Sequence, residues 1–184
     1  MKSLVSVLVI FGIHFLITGC ETTTSRPYTP STENILLMQE TLANGSEGVR
    51  LGDFTQDDNI GSLTCRLNGP VDVSPGKTQA QFVKEALQSE LFMAQVYDVS
   101  SKREIKGALN DLTFSSVSPA NWKINFTVSS DKSEGFTVET TYPFKTSFSA
   151  YGACKNVAEA FAPAVQMLIS DILKDPRFTE LVGK

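Results

Sequence analysis

A helical repeat of apolar residues near the carboxyl end constrains the fold more than any other feature of the sequence. Its members recur with a 3.6-residue period over four turns: Val157, Ala160, Phe161, Ala164, Val165, Leu168, Ile169 and Ile172. The pattern predicts a helix from about Ser149 to Lys174, followed by a stop at Asp175-Pro176. Pro163 lies inside this helix and is expected to kink it, because proline removes one backbone donor.

A second amphipathic segment lies upstream and predicts another helix. Thr78 and Gln81 have the spacing of a capping box, which satisfies unpaired amides at a helix start. The residues that follow form one apolar stripe: Phe82, Val83, Ala86, Leu87, Leu91 and Ala94. Both helices therefore present an apolar face that must pack against another layer.

Three segments between the two helices alternate apolar and polar residues, as half-buried strands do. They are "REIKGALNDLTFSS", "NWKINFTVSS" and "FTVETTYPFKTSF". In the first, the apolar positions change parity between Leu109 and Leu112, which predicts a β-bulge near Asn110-Asp111. Short turns separate the segments, so the sequence predicts an antiparallel meander.

Further strands are expected before the first helix in "VRLGDFT" and "SLTCRLNGPVDV", each of which is predicted to be one strand or a pair of short strands. Pro70 is expected either to interrupt the second or to place it at a sheet edge. Residues 34–43 are too short for periodicity to distinguish a helix from a strand. The expected fold class is α+β, an antiparallel sheet of about five strands with two helices packed on one face, in the order ββαβββα.

The first twenty residues have the parts of an export signal, with a cation at Lys2 and an apolar core at 4–17. The four residues 17–20, Ile-Thr-Gly-Cys, resemble the bacterial lipobox. By that resemblance residues 1–19 are a signal peptide, and Cys20 carries a diacylglycerol on sulfur and an acyl chain on its new amine. Several acyl chains together anchor a protein stably, at about 0.8 kcal/mol per buried methylene. The alternative is an ordinary secretory signal with an incidental cysteine.

The sequence after Cys20 is polar and threonine-rich, and it lacks hydrophobic periodicity. This composition predicts that residues 20–33 form a lipidated flexible tether, able to reach about 46–50 Å at full extension. Residues 34–184 are predicted to be a single α+β domain, since a chain of this size and apolar content suits one domain. Glu21, rather than aspartate, follows the cysteine, and by resemblance to such lipoproteins this favours the periplasmic face of the bacterial outer membrane.

Lipidation of Cys20 would leave two cysteines, Cys65 and Cys154, and an even pair in an oxidising compartment is a disulfide candidate. Each lies on the predicted apolar side of its element. A bridge would close a loop of about 90 residues, for which the chain-entropy model gives about 4–5 kcal/mol. The alternative is two buried, unpaired thiols.

Little in the sequence indicates catalysis, a metal or a cofactor. The single histidine, His14, lies in the predicted signal peptide, so the mature chain would lack histidine pairs and histidine metal ligands. Asp53, Asp57 and Asp58 could offer carboxylates, but a solvated acidic loop is the favoured interpretation. We therefore expect neither an enzyme nor a bound cofactor.

Charge argues against nucleic acid as a partner. The net charge is −4, the pI is near 5.0, and no basic run exceeds the pair Lys102-Arg103. Trp122 could belong to a binding site, but its place on an alternating apolar face favours the core. The aromatic segment 142–166 is interpreted either as packing around the disulfide or as a contact surface.

Three segments, "QFVKEALQSELFMAQVYD", "NWKINFTV" and "YPFKTSFSAYGACKNVAEAFAPAVQMLI", are similar to uncharacterised small Gram-negative outer-membrane lipoproteins over about residues 78–173. A more distant likeness, of architecture alone, is to the lipopolysaccharide-assembly lipoprotein that plugs an outer-membrane barrel. The resemblance implies a periplasm-facing lipoprotein that acts as a non-enzymatic accessory or interaction subunit of a cell-envelope assembly. The alternative is a periplasmic carrier or chaperone for a lipid or small apolar ligand.

Overall fold

A computed structural model describes residues 22–42, 47–66 and 68–182. In chain order the strands are β1 (Thr23–Thr24), β2 (Arg50–Gln56), β3 (Leu63–Cys65), β4 (Gly69–Asp72), β5 (Glu104–Ser115), β6 (Asn121–Ser130) and β7 (Ser133–Pro143). The helices are α1 (Thr32–Leu42), α2 (Gln79–Met93), α3 (Ala150–Lys174) and α4 (Pro176–Leu181). The class is α+β, as predicted.

The sheet differs from the predicted single antiparallel sheet of about five strands. β5, β6 and β7 do form the predicted antiparallel meander, but β2 joins it in parallel beside β5, giving the order β2-β5-β6-β7. β1, β4 and β3 form a separate three-stranded sheet. Apolar alternation identifies a strand but not its partner or direction, and the long connection from β2 to β5 allows parallel pairing.

The sequence predicted two helices, but the described residues contain four. α2 and α3 are the two that were predicted, and Thr78 and Ser149 cap them by accepting hydrogen bonds from Gln81 and Gly152 backbone amides. α1 occupies most of the stretch in which periodicity left the element type open. α4 is a short helix of six residues that begins after Asp175.

The predicted β-bulge lies in β5. Leu109 pairs with Phe126 and Asp111 with Asn125, so Asn110 is the inserted residue. Its side-chain amide donates to the Asn125 side-chain oxygen and to the Thr127 hydroxyl, each at 2.8 Å. The insertion lets Leu109 and Leu112 both face the helices although they differ in parity.

The helices cover one face of the four-stranded sheet and the other face is polar. The core between the layers is built around large, fully buried side chains, among them Trp122, Phe126, Phe161, Ile105 and Leu168. On the opposite face, Thr127 and Thr137 hydroxyls lie 2.9 Å apart, and Asn125 donates to Glu139 at 3.1 Å. This division explains the clear alternation of the three meander strands.

Candidate functional site

A disulfide joins the small sheet to α3. Cys65 at the end of β3 is bonded to Cys154 in the first turns of α3, with the two Cα atoms 5.7 Å apart. Beside it, the buried Trp122 indole nitrogen donates to the Val157 carbonyl at 2.9 Å. The rings of Trp122 and Phe161 lie 5.1 Å apart between centroids. Trp122 therefore belongs to the core, as predicted.

The described part of the predicted tether, residues 22–33, lies against the domain. Thr23 and Thr24 pair in parallel with Val71 and Asp72 of β4. The Ser25 amide then donates to the Asp72 carbonyl at 3.0 Å, and its hydroxyl donates to the Val73 carbonyl at 2.8 Å. Polar residues can add to a free strand edge through the backbone alone, so hydrophobic periodicity gave no sign of this docking.

A buried carboxylate holds the next residues in place. Glu90 of α2 has no exposed surface, and one of its oxygens, Oε1, accepts three hydrogen bonds. The donors are the Tyr28 hydroxyl at 2.5 Å, the Ser31 amide at 2.8 Å and the Asn34 side-chain amide at 3.3 Å. Asn34 also donates to the Gln166 carbonyl of α3 at 2.9 Å. We call these four residues, Glu90, Tyr28, Ser31 and Asn34, the latch.

The latch has perturbed acid-base properties. Burial raises the pKa of Glu90, although its hydrogen bonds to Tyr28, Ser31 and Asn34 act in the opposite direction. Burial, and then the neighbouring Glu90 carboxylate, raise the pKa of the Tyr28 hydroxyl. The other Glu90 oxygen, Oε2, is buried without a hydrogen-bond partner among the described residues. Through these hydrogen bonds Glu90 holds residues 28–34 against α2.

Two shallow grooves adjoin the latch. One, of about 360 Å³, lies between residues 25–28 and α2, where the Tyr28 and Phe82 rings meet edge to face at 6.0 Å. The other, of about 490 Å³, is bordered by Pro30, Phe92 and Met93, and these last two are well exposed. Both grooves open to the surface.

The outer edge of β2 is free along much of its length. Val49, just before the strand, exchanges backbone hydrogen bonds with Val96 and Asp98, each at 2.9 Å. At the far end the Gln56 side chain binds the Ala80 amide and the Ile60 carbonyl. Between these points, no described backbone group pairs with the outer edge of residues 51–55. This stretch is the segment "VRLGDFT", for which the sequence predicts a strand.

The structure describes only some of the other candidate residues. Cys20 and His14 lie outside the described residues. Asp57 accepts a hydrogen bond from the Asn59 amide at 2.9 Å, within the turn that follows β2. Over residues 22–42, 47–66 and 68–182, no group of three or more His, Cys, Asp or Glu side chains could hold a metal ion.

Glu90 was missed by the sequence reasoning although a signal is present. It occupies the apolar stripe of α2, one turn after Ala86 and Leu87 and next to Leu91. An acidic residue in such a stripe needs buried hydrogen-bond donors. The donors come from a polar segment about sixty residues earlier, which local patterns do not connect to the helix.

The fold and these surfaces define an α+β domain with a docked N-terminal segment and open strand edges, among them the outer edges of β2 and β7. In the part of the chain that the structure describes, no helix has the length and apolar character needed to span a bilayer. No protein-family model matches the chain, and no curated protein matches it in sequence.

A comparison with solved structures does find a similar chain. The crystal structure of protein XCC0632 from Xanthomonas campestris, of the family DUF330, aligns with a TM-score of 0.43 and 10% sequence identity. The alignment covers 83% of this chain and 94% of that chain.

Proposed function

We propose that the protein is a periplasm-facing lipoprotein, anchored through Cys20 to the outer membrane, that acts as a non-enzymatic interaction subunit of a cell-envelope assembly. The observation that carries the interaction role is the open outer edge of β2. The lipobox-like residues 17–20 support the anchor, and the Cys65–Cys154 disulfide suits an oxidising compartment.

The open edge suits β-augmentation, in which a partner adds an extended strand. Unpaired backbone groups give such an edge its affinity, and the side chains beside it give selectivity. The free stretch, residues 51–55, is long enough for a short peptide segment, and the register of β2 against β5 shifts within it, between Leu51 and Phe54. Asp53 and Thr55 are exposed along it and would meet the partner.

The alternative role, a carrier for a lipid or small apolar ligand, needs an apolar cavity. The space between the helices and the sheet is filled by fully buried side chains such as Trp122, Phe126 and Phe161. The grooves beside the latch, of about 360 and 490 Å³, open to the surface and do not enclose a cavity. A filled core with a free sheet edge favours the interaction role.

Site-specific photocrosslinking in intact cells tests the interaction role. A photoreactive amino acid replaces Thr55 at the β2 edge, and the matched control replaces Lys123, which is exposed on the inner strand β6. We expect Thr55 to capture one defined envelope protein and Lys123 to capture none. Equal capture at both positions, or none at Thr55, would contradict docking at the edge.

The anchor is tested separately by mass spectrometry of the mature protein. An N-terminal peptide that begins at Cys20 and carries a diacylglycerol and an acyl chain is the expected result. A Cys20→Ala variant should be recovered without lipid. An unmodified Cys20 in the wild-type protein would contradict the lipoprotein assignment.

A further inference from the structure

Three segments that are distant in the sequence meet at one end of the molecule. The Asn68 side chain lies 3.5 Å from the Thr23 hydroxyl of β1. Arg66, in the same β3–β4 turn, donates to the Ser116 hydroxyl at 3.0 Å and to its carbonyl at 2.6 Å. Thr146 donates to that same carbonyl. We call the surface formed by residues 66, 68, 116–119 and 146–151 the apolar end.

Large apolar side chains are exposed there without a partner in the described structure. Phe148 is fully exposed, Val117 is 58% exposed and Tyr151 is 50% exposed. Val117 follows Ser116 directly, and Phe148 is two residues after Thr146, so the hydrogen bonds above bring them to the same end. Aromatic and branched apolar residues are costly to leave in water and favour a partner surface.

The predicted anchor leaves the domain at this same end. Going backward from Thr23, parallel pairing with β4 directs the chain toward Gly69 and the β3–β4 turn. Cys20 is three residues before Thr23, so its Cα can lie at most about 10–11 Å from that of Thr23. A lipid on Cys20 would therefore hold the bilayer close to the apolar end.

Charge also distinguishes this end from the rest of an acidic protein. The sequence contains no Asp or Glu in residues 59–71, 112–130 or 140–158, which include the three segments. Within them the cationic residues are Arg66, Lys123, Lys145 and Lys155, and the Lys155 ammonium lies 4.0 Å from the Glu159 carboxylate. Such a surface is not repelled by anionic phospholipid headgroups, whereas an acidic one would be.

The opposite end of β5 is different. Glu104 is in contact with Arg50 and with Lys106, which also pairs with Asp131. Because β5 has twelve residues, roughly 36–40 Å separates its two ends. The molecule thus has a charged end and an apolar end whose segments 66–68, 116–119 and 146–151 contain no acidic residue.

We propose that the apolar end rests in the headgroup region of the bilayer that holds the lipid on Cys20, with Phe148, Tyr151 and Val117 inserted at the interface. This inference rests on the proposed lipid anchor. Aromatic residues favour the membrane interface, and an anchor within about 10–11 Å gives a weak contact a high effective concentration. The domain is then fixed in one orientation, with the charged end away from the membrane.

Tryptophan quenching on vesicles tests this contact. The full chain, processed and lipidated in a bacterial host, is reconstituted into phosphatidylethanolamine–phosphatidylglycerol vesicles that include lipids brominated high on the acyl chain. Phe148→Trp reports on the apolar end and Tyr151→Trp is a second reporter. The control is Val99→Trp, since Val99 is 76% exposed and lies before β5 at the charged end. The native Trp122 is fully buried, so its emission should be the same background in all three variants.

We expect bromolipid to reduce the emission of the Phe148→Trp and Tyr151→Trp variants and to leave that of Val99→Trp unchanged. Mass spectrometry of the same samples reports on the anchor. Lipidated protein in which all three variants keep their emission would overturn the orientation proposal and leave the anchor standing; the apolar end would then be free to bind a protein. An unmodified Cys20 would overturn both proposals.

Discussion

Glu90 allows the energetic roles of hydrogen bonding and of buried charge in the latch to be separated. Glu90→Gln keeps an oxygen at the position of Oε1, which accepts from Tyr28, Ser31 and Asn34, and it removes the charge. Glu90→Ala removes the oxygen as well. The difference between the two variants therefore measures the hydrogen-bond acceptor together with the packing of the removed side chain, and the difference between glutamine and wild type measures the charge.

The magnitude follows from the donors that alanine would leave without a partner. Asn34 keeps its second hydrogen bond, to Gln166, but the Tyr28 hydroxyl and the Ser31 amide each lose their acceptor. An unsatisfied buried donor costs about 1–3 kcal/mol, and these two donors are only partly buried, so their loss should make Glu90→Ala about 1–3 kcal/mol less stable than Glu90→Gln. Neither variant titrates at this position, so the gap should not depend on pH.

The difference in stability between Glu90→Gln and wild type should depend on pH. Burial raises the pKa of Glu90 in the folded protein, so the folded state holds this proton more tightly than the unfolded chain does. The stabilisation that comes from binding this proton more tightly is fully present below the ordinary glutamate pKa. It is lost as the pH rises through the raised pKa of Glu90 in the folded protein. The stability of Glu90→Gln relative to wild type should therefore increase with pH.

Urea unfolding of the three proteins with the disulfide intact, from about pH 4 to about pH 8, measures both terms. Tyr28→Phe, which removes one donor and keeps the carboxylate, is a matched control that should fall between wild type and Glu90→Ala. The reasoning would be refuted if Glu90→Gln and Glu90→Ala were equally stable. It would also be refuted if wild type gained stability over Glu90→Gln as the pH increased.

Three further changes test the packing. Cys65→Ala with Cys154→Ala should lower the unfolding free energy by about 4–5 kcal/mol, because the bridge closes a loop of 89 residues in the unfolded chain; urea midpoints that match wild type would contradict this. Gly107→Ala should cost about 1–3 kcal/mol in thermal unfolding, since its Cβ would lie 2.5 Å from the Phe126 ring. The control Gly61→Ala has open space and should be near neutral. Thr78→Ala removes the cap of α2 and should cost about 1 kcal/mol in the same assay.

The features that the sequence predicted well are local ones. The period of residues 157–172 fixed α3, and Thr78 fixed the start of α2, because helix signals depend on neighbours within a few residues. The parity change between Leu109 and Leu112 located the bulge for the same reason. The disulfide was predicted because the export signal indicates an oxidising compartment and leaves an even pair of cysteines, Cys65 and Cys154.

The features that were missed depend on contacts between distant segments. Whether β2 lies parallel or antiparallel to β5 is decided by the path of the connection, which apolar alternation does not encode. Residues 23–25 join β4 through backbone hydrogen bonds, so their side chains carry no pattern. Predicting the latch would have required pairing Glu90 with Tyr28, which lies 62 residues earlier. The carboxylate in the apolar stripe of α2 was the only local signal of it.

The docked N-terminal segment changes what a lipid on Cys20 would do. A free tether over residues 20–33 would let the domain turn in any direction and would hide no surface. Because residues 23–34 are held by β4 and the latch, only the few residues between Cys20 and Thr23 would separate the lipid from the folded domain. Under the proposed lipid anchor, such a short link would restrict rotation, and the membrane would face the end of the molecule where the chain leaves. The latch is thus the element that would convert a lipid anchor into a defined orientation, and it leaves the open edge of β2 accessible to an envelope partner.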